Sequence, residues 1–307
     1  MKGVVNIILY FIVILIVTLL LSCTTKIKLA YKYFLTPCPC DVPEIQSDFP
    51  QHFLRVNLND YLSQLNSYKN FRIDTLQTII YAGTEFPITR ILFKGSEAKL
   101  RLLIFAGVHG NESGGVLSIP ILMDSISTNP TRYMNWEVQV ITPINPVGLQ
   151  FMSRYNENGC DLNRKIKKSN QPGILLQKEV IREFKPDFLI TLHESPSRGY
   201  FIFPGVHVQK DLIQRILEHL EKNGIELATV DYFGRKLKPP GISNTNKGYL
   251  NILKNIIRLQ PLADYTDENK IPSLTPESGW QSEDLKQRVN SHVFLINAVI
   301  DNFGNRN

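Results

Sequence analysis

Three side chains in this sequence have the types and spacing to hold a metal ion. His109 and Glu112 lie three apart in Ala106-Gly107-Val108-His109-Gly110-Asn111-Glu112, and His193 lies in Thr191-Leu192-His193-Glu194. A His and a Glu at that spacing can reach one ion when they sit on the turn leaving a strand. Alone the pair is a weak signal, since a chance His-x-x-Glu is expected in roughly one such chain in four. The ordinary alternative is that His109 caps a helix and Glu112 occupies its first turn, where a carboxylate suits the helix dipole. Placement favours the metal. The pair and His193 each follow an apolar run that reads as a buried strand, and open α/β sheets gather ligands at the carboxyl ends of their strands. Gly107 and Gly110 let other groups approach closely. Two imidazoles and one carboxylate leave one position for water, which is the pattern of catalytic zinc rather than of closed structural sites. The expectation is one Zn2+ on His109, Glu112 and His193.

Between the two strand ends the chain is dense in polar residues: Asn145-Pro146-Val147-Gly148, then Ser153-Arg154-Tyr155-Asn156, then Gly159-Cys160-Asp161-Leu162-Asn163-Arg164. Loops held on a rigid scaffold carry binding and catalytic groups, so this stretch reads as an active-site loop.

The elements that must position these residues begin near Asp60. A short helix is expected over Asp60 to Tyr68. A hairpin is expected from Thr78–Tyr81 and Ile88–Phe93 around Ala82-Gly83-Thr84. Buried strands are expected at Leu100–Ala106, Trp136–Ile141 and Asp187–Leu192, with further short ones at Tyr200–Phe203 and Ile271–Leu274. Helices are expected at Ser113–Ile126 (despite Gly114, Gly115 and Pro120), Pro172–Phe184 and Lys210–Lys222. A closing helix over Glu283–Phe303 carries Leu285, Val289, Val293, Ile296 and Ile300 near helical period. Strands alternating with helices predict a mixed, mainly parallel sheet covered on both faces, a three-layer α/β/α sandwich.

Taken together, His109-x-x-Glu112, Asn-Pro-x-Gly, Arg154, Asp-Leu-Asn163-Arg164, the strand-end His193 and Glu277 in Leu274-Thr275-Pro276-Glu277-Ser278 resemble the zinc carboxypeptidase superfamily from about Thr78 to Phe303. That superfamily contains metallocarboxypeptidases, murein-peptide amidases and the succinylglutamate desuccinylase/aspartoacylase branch. The resemblance implies zinc ligation by His109, Glu112 and His193. It implies that Arg154 polarises the scissile carbonyl and that Asn163 and Arg164 grip a substrate carboxylate. It also implies that Glu277 takes a proton from the attacking water and passes it to the leaving amine. Tyr249, in Lys247-Gly248-Tyr249-Leu250, is the residue available for the substrate-facing tyrosine of many carboxypeptidases. Only 30 residues follow Glu277, which leaves no room for the further β-rich domain of the acylase branch. The expectation is a carboxypeptidase or murein-peptide amidase acting on a peptide or muropeptide, ahead of an N-acyl-amino-acid deacylase. A non-catalytic peptide- or wall-binding lipoprotein is the alternative from another class, but such proteins usually lose a ligand or the base.

The bulk numbers are consistent with this. The chain has 307 residues with 43% of the apolar types and 20% charged, enough for a sizeable core. A net charge of +6 with scattered Lys and Arg, and no nucleic-acid-binding signature, argues against nucleic-acid partners. Residues 4–21 are almost wholly apolar, a length that could span a bilayer or serve as an export signal. Leu20-Leu21-Ser22-Cys23 resembles a bacterial lipobox, with Cys23 the lipidated residue. Lys26, Lys28 and Lys32 beyond the apolar run oppose simple export, since positive charge tends to stay on the cytoplasmic side. The organisation expected is a signal or anchor at 1–22, a lipid-attachment cysteine and Pro-rich tether at 23–59, and a catalytic domain at 60–307. The domain is expected to be membrane-anchored and extracytoplasmic. Besides Cys23 the chain has Cys38, Cys40 and Cys160, an odd remainder that makes no full disulfide framework.

Overall fold

The computed structural model describes residues 54–231, 234–244, 259–280 and 282–304. Cys23, Cys38, Cys40, Tyr249, the apolar amino-terminal run and most of the tether lie outside these.

Seven strands form one sheet in the order β1-β2-β4-β3-β5-β7-β6. β1 (Arg72–Tyr81) and β2 (Thr84–Lys94) are an antiparallel hairpin. They turn at Ala82 and Gly83, both at positive φ (49° and 77°), as a two-residue turn matched to strand twist requires. Both strands are longer than the apolar runs suggested, because β1 shows one half-exposed face and carries polar residues there. β3 (Leu100–Ala106), β4 (Trp136–Thr142), β5 (Phe188–Ser195) and β7 (Ser273–Gly279) make the parallel centre, and β6 (Phe201–Pro204) closes the far edge antiparallel to β7. The central strands are buried along nearly their whole length because helices cover both of their faces.

Among the described residues the α-helices are α1 (Leu58–Asn66), α2 (Ser113–Thr128), α3 (Pro146–Phe151), α4 (Pro172–Phe184), α5 (Lys210–Lys222), α6 (Leu262–Glu268) and α7 (Ser291–Asn302). α2, α5 and α7 pack together on one face of the sheet. β3 leads through α2 to β4 on one side, whereas β4 leads through α4 back across β3 to β5. Right-handed crossovers in opposite directions place α2 and α4 on opposite faces. The result is the expected α/β/α sandwich. It also sets the site: β3 departs toward β4 and β5 toward β7, so the carboxyl ends of β3 and β5 border the crevice where the strand order reverses.

Four expectations are corrected. His193 does not follow its strand but lies within it, because β5 runs on to Ser195 as a wholly buried strand. β7 likewise extends to Gly279 and carries Glu277 inside the sheet. Asn145-Pro146-Val147-Gly148 is the start of α3 rather than open loop. The closing helix is interrupted by a π-helical turn at Lys286–Asn290, and Leu285 ahead of that turn is exposed while Val289, Val293, Ile296 and Ile300 are buried.

Candidate metal centre

β3 ends at Ala106, Gly107 turns the chain at φ 68°, and the next five residues carry His109 and then Glu112, which directly precedes α2. This turn is held from behind by a backbone-to-backbone contact. A side chain at Gly110 would place its Cβ 1.8 Å from the carbonyl carbon of Gly148. Asn145 caps α3 by accepting the Gly148 N–H at 2.8 Å, with Pro146 at the first helical position, where its missing N–H costs nothing. The Asn-Pro-x-Gly segment is therefore a cap and a contact surface for the His109 turn.

Glu112 is the hub. One carboxylate oxygen is 2.8 Å from His109 Nδ1 and accepts from the Arg154 guanidinium at 3.0 Å. The other is 2.7 Å from His193 Nδ1 and takes the main-chain N–H of Glu194 at 3.3 Å. His109, Glu112 and His193 are all at most 3% exposed, and one ligand atom from each lies within 4.8 Å of the other two. Burial pushes the Glu112 carboxyl up, but the two imidazoles it bonds outweigh this and hold it below the usual carboxylate range.

Asp161 supplies what the ligand set alone lacks. It is buried, and one oxygen lies 3.0 Å from His109 Nε2 and accepts the Asn163 N–H at 2.9 Å. The other accepts from Arg154 Nε at 2.9 Å and sits 3.0 Å from Arg164 Nε. Burial raises its carboxyl, but Arg154, His109 and Arg164 together hold it well below the ordinary value. An ionised Asp161 makes His109 Nε2 the donor, which leaves the Nδ1 lone pair aimed at the cluster. Such outer partners fix both tautomer and ring orientation in metal sites. His193 also turns Nδ1 inward, while its Nε2, 3.4 Å from the Asn163 side-chain nitrogen, accepts from that amide. Two inward Nδ1 atoms and a carboxylate are a donor set suited to a borderline-soft divalent ion such as zinc.

The remaining residues converge on this cluster, apart from Tyr249 and Cys23, which lie outside the described residues. Glu277 pairs in register with His193 across β5 and β7. Burial and the nearby Glu112 charge push its carboxyl well above the ordinary range, against the opposing pull of Arg154. Arg154 is tied to both Glu112 and Asp161. Asn163 spends its amide oxygen on the Leu262 N–H at 2.8 Å, anchoring α6. The polar run from Ser153 to Arg164 is a self-bonded loop: Asn156 Oδ1 accepts the N–H groups of Asn158 and Cys160 at 3.1 and 2.8 Å. Sequence reasoning passed over Asp161 as an orienting residue. Its only signal was its place at the head of Asp-Leu-Asn-Arg.

A solved Shewanella amazonensis structure, described as a candidate metallopeptidase, superposes with a TM-score of 0.62 at 17% identity, over 81% of this chain and 97% of that one. The two chains share a fold. A metallo-carboxypeptidase from Burkholderia cenocepacia gives a TM-score of 0.60 at 13% identity, covering 81% of this chain and 69% of the other. One from Pseudomonas aeruginosa, solved in complex with (2-guanidinoethylmercapto)succinic acid, gives 0.56 at 14% with the same coverage. In sequence, the chain is 29% identical over 103 residues to Carboxypeptidase 2 of Trichophyton rubrum, a match spanning 32% of this chain and only 19% of that relative. The family described as "Protein of unknown function (DUF2817)" matches residues 74–174. That range contains His109, Glu112, Arg154, Asp161, Asn163 and Arg164, and stops short of His193 and Glu277.

Proposed function

We propose that this chain is a zinc-dependent hydrolase that cleaves a peptide or amide bond beside a free carboxylate, of the carboxypeptidase or murein-peptide amidase type. The observation that carries the reading is the convergence of His109, Glu112 and His193 at the sheet's switch point, with Glu277 on the neighbouring strand in register with His193. A zinc ion held by those three ligands would supply Lewis-acid chemistry, polarising a carbonyl and making a water acidic enough to attack near neutral pH.

The protein's own groups then divide the work. Glu277 is the buried carboxyl that would accept the water's proton and return it to the departing nitrogen, the positive charge of a bound ion favouring its ionised form against burial. Arg154 lies beside the ligands and is the donor for the developing oxyanion, a role in which one such group contributes on the order of 3 kcal/mol. Arg164, flanked by the Asn163 amide, presents a planar guanidinium suited to two-pronged recognition of a carboxylate. Asp161 keeps both arginines and His109 in place. The substrate is a peptide or a muropeptide. The apolar amino terminus and Cys23 support a lipid-anchored protein facing the cell wall, where muropeptides occur.

The test is a screen of the protein with zinc against C-terminal peptides, muropeptides and N-acyl amino acids, beside Glu277→Gln. Release of an amino acid or peptide is expected from one of the first two classes. Glu277→Gln is expected to lose turnover while keeping stoichiometric zinc. Zinc binding without hydrolysis of any class would refute the reading.

A further inference from the structure

On the face of β5 and β7 opposite the metal ligands lies a second buried cluster, at the same rung of the sheet. Successive side chains on a strand point to opposite faces. His193 and Glu277 face one way, so Glu194 and Ser278, themselves partners in register, face the other. The Glu194 carboxylate, 2% exposed, accepts from Arg288 Nε at 2.9 Å and from Arg288 Nη2 at 3.3 Å. It also takes the Gly114 N–H in the first turn of α2 at 2.7 Å and the Ser278 hydroxyl at 3.3 Å. Ser278 in turn lies 3.2 Å from His292 Nε2, and His292 Nδ1 lies 3.2 Å from the Tyr200 hydroxyl. Proton directions are consistent along the row: Tyr200 donates to His292, His292 to Ser278, and Ser278 to Glu194.

Burying an ion pair is a poor way to gain stability, since apolar residues of similar size commonly serve as well, and its best-attested use is to fix registry. Here the pair ties four elements that carry the site. β5 bears His193, and Glu194 N–H itself donates to Glu112. β7 bears Glu277, α2 begins directly after Glu112, and the π-helical turn supplies Arg288. The fit is close, because a Cβ at Gly114 would stand 2.7 Å from the Glu194 carboxyl carbon and would push the carboxylate out of its place.

We propose that Glu194 and Arg288 are positioning residues that set the placement of His193, Glu112 and Glu277 relative to one another, and that they act on metal geometry rather than on substrate. The inference rests on the metal-site reading above. Its test uses Glu194→Gln, Arg288→Met and the double variant, all measured well below their melting temperatures. The readouts are zinc affinity by competition with a chromophoric chelator and the visible spectrum of the cobalt(II)-substituted protein.

Each single variant is expected to bind zinc about 10-fold more weakly, the low end of the loss seen when a group bonded directly to a ligand is removed, and to shift the cobalt spectrum. The double variant is expected to regain the thermal stability lost by Arg288→Met, since no charge is left buried alone, without regaining zinc affinity. Zinc affinity and a cobalt spectrum equal to those of the unaltered protein in the double variant would overturn the proposal and leave the pair a purely structural tie. Should Arg288→Met fail to fold, the isosteric Glu194→Gln decides by the same two readouts. Failure of the unaltered protein to bind zinc or cobalt is a separate result, which refutes the metal reading and this inference with it.

Discussion

Replacing Asp161 with alanine removes one carboxylate from beneath three cationic or proton-donating groups at once. Arg154 and Arg164 have side chains only 15% exposed, and His109 is 2% exposed, so none can turn to bulk water. Removing one partner of a buried pair costs roughly 3–5 kcal/mol, chiefly as the penalty of the charge left behind. Two guanidinium groups share Asp161, so the upper part of that range applies. For a domain of this size each kcal/mol moves the melting temperature roughly 2–4 °C, giving a fall on the order of 10–20 °C. The measurement is thermal unfolding at neutral pH in excess chelator, so that lost metal binding does not enter. Repeated with zinc, the gap should widen, because His109 loses the partner that orients its Nδ1 and affinity falls by about 10- to 100-fold. Asp161→Asn keeps the shape and one acceptor and should fall between the two proteins. Asp161 is ionised in the fold with its pKa held down, so its stabilisation is complete above the unfolded value of 3.8 and is lost as pH drops below that. Asp161→Ala should therefore lose its deficit in strong acid. An Asp161→Ala protein that melts within a degree or two of the parent in chelator would refute the electrostatic reasoning.

Two further outcomes follow from the geometry. Gly110→Ala puts a Cβ 1.8 Å from the Gly148 backbone, and backbone cannot rotate aside as a side chain does. We predict more than the roughly 1–3 kcal/mol usual for overpacking, together with weakened zinc binding. Gly83→Ala, at φ 77° with open space around it, should cost only about 1–2 kcal/mol and leave zinc binding unchanged; equal effects at both sites would contradict the close-contact argument. His292 is held neutral by burial and by the nearby His193, its pKa pushed down from 6.5 to about 3. The stability linked to this shift is present above pH 6.5 and is lost as pH falls toward 3. Chemical denaturation at pH 5 should show a loss of roughly 2 kcal/mol relative to neutral pH, and His292→Gln should flatten that slope. An unchanged slope in the variant would show that His292 is not the group responsible.

The parts of the fold legible in the sequence are those written in apolar period and punctuation. β3, α4 and α5 occupy the spans that their hydrophobic patterns and flanking breakers indicate. Errors gather where function interrupts pattern. β5 and β7 extend through His193, Glu194, Ser195, Glu277 and Ser278, polar residues that look like loop but are buried and bonded inside the sheet. Polarity alone cannot announce such residues, because their partners, Arg288 and Gly114 among them, are distant in sequence. α3 was hidden for another reason: its Pro and Gly, which normally mark a turn, serve here as the first helical residue and a contact surface. Among the candidate site residues, His109, Glu112 and His193 were legible because each follows an apolar run, although His193 proves to lie inside β5. The role of Asp161 was not, since it depends on a loop folding back onto His109 from 52 positions away.

The strand order carries a consequence for how the protein comes into being on the ribosome. β7 lies between β5 and β6, yet it is synthesised after both. Until Ser273–Gly279 leave the exit tunnel, β5 has one open edge and β6 lacks the strand it pairs with. His109, Glu112, Asp161 and His193 are all made before that moment, whereas Glu277 travels on the strand that fills the gap. A nascent chain thus carries the His109, Glu112 and His193 group first and Glu277 last, on the strand that seals the sheet. Glu277, in register with His193, and the completion of the sheet therefore arrive together.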